Sequence, residues 1–265
     1  MKKLFFLFII ILPSIFTSAQ SIEEMPDWNN HFTKIGIEGS FLLYDMNNRI
    51  YYSNNPGRCK ERFIPASTFK IPNSLIALET GVIKDENEII KWDGVKRSYD
   101  SWNKDHNLRS AIAVSAVWFY QELARRIGTE RMQEYLNQFN YGNMNIGGGI
   151  DKFWLDGDLR ISPIEQIDFL LRFYKNDLPI SQKNIDIVKN IIIIEETDST
   201  VLRAKTGWGI RFEKQVGWYV GYFEFNENVY FFANNIDIKK DEDAKARYLI
   251  TKEIISEFVL KKMKK

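Results

Sequence analysis

Apolar and polar positions along the chain follow two rhythms, which divide it into three stretches. Near the start, Gly39 to Met46 and Ile50 to Ser53 are short runs rich in aromatic and aliphatic residues. Asn47-Asn48 between them tolerates φ > 0, and the whole predicts a β-hairpin. From about residue 60 to 195 the rhythm is helical. A helix opening at Ser67 runs through Leu75, Ile76 and Leu78 to a possible cap at Gly81. Pro72 inside it removes a backbone donor, marking either a special first turn or a kink. Residues 84–110 are polar and without period, punctuated by Trp92, Tyr99 and Trp102. Val117, Tyr120, Leu123 and Ala124 recur at helical spacing over 116–127, with Gly128 as the stop and a second helix over 129–139. The Gly- and Asn-rich stretch 141–149 is a loop. Ser162, Pro163 and Glu165 make an N-terminal capping signal for a helix to about Tyr174, and another helix spans 182–191. The third stretch returns to strands, over 200–206, 217–225 and 229–238, the last two joined at Asn226-Glu227-Asn228. An amphipathic helix from Asp241 to about Met263 follows.

Strands therefore come from both ends and helices from the middle. The economical arrangement is an α+β fold with a central antiparallel sheet built from both chain ends. Terminal helices flank it, and a helical lobe is inserted beside it at about 60–195. The cleft between the lobes is the natural place for a site.

The 265 residues, 45% of them hydrophobic, suffice for one large domain or two intimate lobes. A net charge of +1 offers no broad basic surface, so nucleic acid is not an expected partner. The basic run Lys261-Lys262-Met263-Lys264-Lys265 reads as a solvated helix end. Met1-Lys2-Lys3, the apolar run Leu4 to Phe16 and the small residues Thr17-Ser18-Ala19 predict a signal peptide over 1–19 and a domain over 20–265. The protein is then exported, periplasmic or secreted. The apolar run is short for a membrane span, although an uncleaved anchor is the other reading.

The single cysteine, Cys59, allows no intramolecular disulfide. With only His31 and His106 as histidines, neither a metal site nor a Ser–His–Asp triad is expected, and no G-x-S-x-G turn is present. Activation of a hydroxyl must come from another group. Pro65-Ala66-Ser67-Thr68-Phe69-Lys70-Ile71-Pro72 places a serine and a lysine three apart, on one helix face. Burial beside Phe69 and Ile71 lowers a lysine's pKa and makes it a base; a hydroxyl beside it is an activated nucleophile. The plainer alternative is a surface lysine on an amphipathic helix. Three further triplets follow in order: Ser115-Ala116-Val117, Tyr141-Gly142-Asn143 and Lys205-Thr206-Gly207, the last followed by Trp208. Singly they read as a helix cap, a turn and a strand end. Together and in this order they are far harder to obtain by chance.

The set resembles the penicilloyl-serine transferase superfamily, and within it most closely the class D β-lactamases, or oxacillinases. That family also has the segment seen here as Phe153-Trp154-Leu155-Asp156-Gly157-Asp158-Leu159-Arg160-Ile161-Ser162. The resemblance runs from about Trp28 to the C-terminus. Class A enzymes fit less well, because Ser115-Ala116-Val117 stands where they have Ser-Asp-Asn. The resemblance implies a β-lactamase/transpeptidase-like fold and hydrolysis of β-lactam antibiotics through an acyl-enzyme on Ser67, hence antibiotic resistance. It implies an oxyanion hole from the backbone N–H groups of Ser67 and Trp208. It implies no diffusible cofactor, but CO2 added covalently to Lys70 as a carbamate that acts as general base. Trp154 Nε1–H is then the carbamate's donor, and Val117 and Leu155 keep its surroundings dry. Ser115 passes a proton to the lactam nitrogen. Lys205, Thr206 and Arg247, with Gly207 beside them, hold the substrate carboxylate; a helix ion pair is the other reading of Arg247. Tyr99, Trp102 and Ile210 line the cleft, and the short loop between Trp208 and Gly217 goes in this family with carbapenem hydrolysis. The expected partners are small β-lactams, with the chain a monomer or homodimer. Two other functions remain open at this point: a β-lactam sensor that stays acylated, and a penicillin-binding transpeptidase or carboxypeptidase.

Overall fold

A seven-stranded sheet organises the computed structural model, which describes residues 21–198 and 200–263. The expected signal peptide over 1–19 lies outside the described residues. In chain order the elements are β1 (Ile22–Glu24), α1 (Asn29–Thr33), β2 (Gly39–Asp45), β3 (Ile50–Ser53), α2 (Lys70–Glu79), α3 (Leu108–Ala113), α4 (Val117–Ile127), α5 (Thr129–Phe139), α6 (Pro163–Tyr174), α7 (Gln182–Ile191), β4 (Ile193–Glu196), β5 (Thr200–Gly209), β6 (Gln215–Phe225), β7 (Asn228–Ile238) and α8 (Ala246–Met263). The strand order is β1-β3-β2-β7-β6-β5-β4, so β2 from the start of the chain pairs with β7 from its end. The sheet is antiparallel as expected except at one edge, where β1 runs parallel to β3.

Side chains alternate across a strand, and both faces of this sheet are covered. Leu42, Tyr44, Trp218, Val220, Tyr222, Phe231 and Ala233 point into one core with α2 and α4 to α7. Phe41, Leu43, Tyr219, Phe223, Tyr230 and Phe232 point the other way, against Trp28, Phe32 and the α8 residues Ile250, Ile254 and Phe258. Both faces being covered, β6 and β7 are buried along nearly their whole length, including the polar Asn234, Asn235 and Asp237 of β7.

Four expectations are refined. Ser67 lies not in an α-helix but in a 3-10 turn, Ala66–Phe69, with α2 starting at Lys70. Pro72 then sits in the first turn of α2, where its missing N–H has no intrahelical partner to lose. In the β2–β3 hairpin the left-handed residue is Arg49 (φ 56°), not Asn47 or Asn48. The stretch 84–110 is not wholly irregular: it holds a 3-10 turn at Asp100–Trp102 and the start of α3. The β6–β7 turn does use left-handed residues, Asn226 (φ 48°) and Glu227 (φ 58°). The capping box at Ser162 and Glu165 is also present.

Candidate active site

The Ser67 turn is held from three sides. Thr68 Oγ1 donates to Pro65 O at 2.8 Å and accepts from Gln166 Nε2 at 2.9 Å. Phe69 beneath it packs on Phe153, Trp154 and Tyr141 at centroid distances of 5.0, 5.4 and 5.6 Å. On the third side β5 lies against the turn, which glycine makes possible. A Cβ at Gly207 would come 2.9 Å from Pro65 O, and one at Gly209 would come 2.6 Å from Ile64 Cγ2. Ala66 has φ 49°, a conformation that costs a non-glycine residue about 1–2 kcal/mol. The packing around the turn offsets that strain.

Within this frame Lys70 Nζ donates to Ser67 Oγ at 2.8 Å. Lys70 is 0% exposed, so the surface-lysine alternative is excluded. Burial, and secondarily the charge of Lys205, hold its ammonium pKa well below the ordinary lysine value. No carboxylate among the described residues forms an ion pair with it.

Ser115 stands at φ 57° in the turn between α3 and α4, with its Oγ buried and unbonded among the described residues. Its backbone N–H donates to Ile112 O at 3.2 Å. Trp154 is fully buried, and its Nε1–H likewise has no partner. Tyr141-Gly142-Asn143 does not enter the cleft but holds the Trp154 segment in place. Asn143 bonds Asp158 O and Arg160 N, each at 2.9 Å, and a Cβ at Gly142 would come 2.1 Å from Arg160 O.

Lys205, Thr206 and Gly207 lie inside β5, which runs on to Gly209 rather than ending at Thr206. Lys205 is buried, and desolvation together with the nearby Arg247 guanidinium pulls its pKa down to about 7. Arg247, from the first turn of α8, makes no ion pair among the described residues; its Nη1 donates to Gly207 O at 2.7 Å. Burial lowers its pKa to about 10, which leaves it charged at neutral pH. Three basic side chains, with Arg247 the one firmly charged at neutral pH, thus gather at one end of the cleft without an acid paired to them among the described residues, an arrangement suited to an anionic ligand.

The cleft itself has a volume of about 540 Å³. Ser67, Ser115, Val117, Leu155, Thr206, Gly207, Trp208 and Arg247 line it together, while Lys70, Trp154 and Lys205 lie beneath its walls. Tyr99, Trp102 and Ile210 also line it. Trp102 Nε1 donates to Val114 O at 2.9 Å and Trp118 Nε1 to Trp102 O at 2.8 Å, tying this wall to the Ser115 turn. Arg97, Trp118, Gln121 and Arg211 were not identifiable from the sequence as lining residues, because nothing in their local pattern separates them from an ordinary surface. Arg211 reaches across to Asp156 at 2.7 Å.

Residues 39–256 match the penicillin binding protein transpeptidase domain family. The chain is 45% identical to the β-lactamase OXA-48 of Klebsiella pneumoniae over 249 residues, covering 94% of this chain and 93% of that one. Among solved structures, the class D β-lactamase YbXI from Nostoc superposes with a TM-score of 0.84 at 50% identity, covering 85% of this chain and 95% of that one. FUS-1 (OXA-85), a class D β-lactamase from Fusobacterium nucleatum subsp. polymorphum, gives 0.87 at 43% identity, covering 89% and 98%.

Proposed function

The chain belongs to the class D β-lactamases, and from that membership and the geometry of the cleft we propose that Ser67 is its acylating nucleophile and Lys70 the base that serves it. As a member it is a serine β-lactamase, a hydrolase of β-lactam antibiotics whose activity confers resistance. The observation that carries the residue assignment is the 2.8 Å contact between Ser67 Oγ and an amine that solvent does not reach.

Burial favours the neutral amine, whose lone pair can accept the hydroxyl proton as Oγ attacks the lactam carbonyl. Backbone N–H groups of Ser67 and Trp208 receive the negative charge that develops on the carbonyl oxygen. When the ring C–N bond breaks, an acyl ester forms on Ser67, and Ser115 hands its proton to the departing nitrogen while taking up the one that Lys70 received from Ser67. Lys205, Thr206 and Arg247 hold the substrate carboxylate, with Gly207 leaving the backbone open to close approach. Val117 and Leu155 keep bulk water from the amine.

Lys70 also suits covalent attachment of CO2. A neutral amine is the form that adds it, and a buried anion persists only with a hydrogen-bond donor, which the unbonded Trp154 Nε1–H offers. Bound on Lys70 as an N-carboxylate, with the displaced amine proton released to water, CO2 would supply an anionic general base for acylation and for the hydrolytic water. The Met1 to Ala19 segment supports action outside the cytoplasm, periplasmic or secreted. No helix among the described residues is long and apolar enough to cross a membrane. The short Ile210–Lys214 loop supports carbapenem turnover, which imipenem hydrolysis by purified protein tests.

Steady nitrocefin turnover is the expected result; one equivalent of acylation followed by a stall would point to a sensor or a transpeptidase instead. Ser67→Ala leaves no acyl adduct in intact-protein mass spectra. Lys70→Ala slows turnover by about 10²–10⁴-fold, the usual contribution of a positioned base. An adduct on the serine variant would overturn the assignment.

A further inference from the structure

Lys70 has a second close neighbour besides Ser67. Its Nζ lies over the ring of Tyr120, 5.2 Å from the centroid, inside the range where an aromatic face attracts a cation. Tyr120 is fully buried in α4 and anchored at both ends. Its backbone O accepts from Asn73 Nδ2 at 3.2 Å, which ties the base of the residue to α2. Its Oη lies 3.0 Å from Ser74 Oγ, and Ser74 Oγ donates its own hydrogen to Lys70 O at 2.7 Å. The phenol must therefore be the donor in the Tyr120–Ser74 bond. The ring, the serine and the lysine backbone form one closed unit.

We infer that Tyr120 is a positioning residue for the reaction: its ring face holds the Lys70 amine against Ser67 and stabilises the cationic form of that amine. Burial works in the opposite direction. The charged group facing Lys70 from β5 is Lys205, which also disfavours the cation. Tyr120 on α4 is itself held neutral by burial, with its phenol pKa pushed up. Phe69 on the Ser67 turn and the buried Trp154 packed on it carry no charge. The aromatic face thus favours protonated Lys70 alongside the Ser67 hydroxyl that accepts from it, and together they limit how far burial depresses the pKa. The balance sets the pH above which the amine is free to act as a base or to add CO2. This inference rests on the proposed role of Lys70.

The test keeps the ring's size and changes only its electron density. In the full-length protein, position 120 is replaced by Phe, then by mono-, di- and trifluorinated phenylalanine. Each protein is equilibrated with 13C-bicarbonate across a pH series, and the carbamate signal is read by NMR beside the acidic limb of acylation. Tyr120→Phe keeps the aromatic face and leaves the midpoint pH of the signal unchanged, while losing the Ser74 bond and some thermal stability. Fluorination weakens the attraction for the cation, so both midpoints fall stepwise, by about one pH unit across the series. A carbamate signal whose midpoint stays fixed, or rises, with fluorination overturns the role of Tyr120 and leaves that of Lys70 standing. Absence of the signal in the unsubstituted protein at any pH overturns CO2 attachment to Lys70, and an acidic limb of acylation that then fails to move with fluorination overturns the role of Tyr120.

Discussion

At the scale of single residues, the proposed chemistry draws on polar groups placed where water cannot satisfy them. Trp154 illustrates the point: an indole N–H in a closed core without a partner is ordinarily a defect. Trp154→Phe removes that donor at nearly constant volume. Bicarbonate titration should show that the variant needs more bicarbonate for half-maximal activity; an unchanged requirement would separate Trp154 from the chemistry. Lys205 gives a pH signature. With its pKa held near 7 by burial and Arg247, its cation is present below that pH and lost above it. The kcat/KM for anionic lactams should therefore fall above about pH 7, by up to tenfold per unit, and Lys205→Met should remove that limb. Stability moves the other way. An unfolded lysine keeps its proton to about pH 10.4, whereas folded Lys70 and Lys205 release theirs earlier. The unfolded state then binds more protons, so thermal stability of the free protein rises between pH 7 and 10, with each lysine adding at most about 1.4 kcal/mol per unit. Ser67 and Lys70 were legible because their spacing carries chemical meaning. Tyr120 was not, since its place in an apolar helical period is that of any core residue.

At the scale of elements, the position of Ser67, the proposed nucleophile, depends on how closely a strand and a turn approach. Gly207→Ala would bring a methyl group to 2.9 Å from Pro65 O, so β5 or the turn must give way. Displacement by a fraction of an ångström to one ångström should reduce kcat/KM by about 10²-fold. If circular dichroism and Tm stayed native while activity was full, the close approach would be irrelevant. The helices α4 to α7 and the strands β6 and β7 followed from periodicity and caps, as the Ser162–Glu165 box shows. The 3-10 turn at Ser67 did not. Ala66 adopts φ 49° because Phe69 is anchored below it and β5 presses from the side, both long-range contacts that local sequence does not encode. β1 and β4 were missed because each is short, at three and four residues, and owes its assignment to a neighbouring strand.

At the scale of the molecule, the site is shared. Ser67 and Ser115 come from the helical middle, Lys205 and Trp208 from the sheet, and Arg247 from the last helix. Loss of nitrocefin hydrolysis on heating or in urea should coincide with the loss of near- and far-ultraviolet dichroism. Activity that vanished well before the fold would indicate a looser association of the lobes. The two-ended sheet and the inserted helices were foreseeable, since strand-like and helix-like stretches occupy separate parts of the chain. The parallel β1 edge was not, because pairing direction leaves no mark in a three-residue strand. The pairing of β2 with β7 also has a consequence for biosynthesis. β2 is complete by Asp45 but its partner begins at Asn228, so the sheet waits until the ribosome has delivered the chain through β7. A chain truncated by a premature stop before that point is not a weakened enzyme. It is an unfinished sheet whose bare β2 edge invites aggregation or proteolysis.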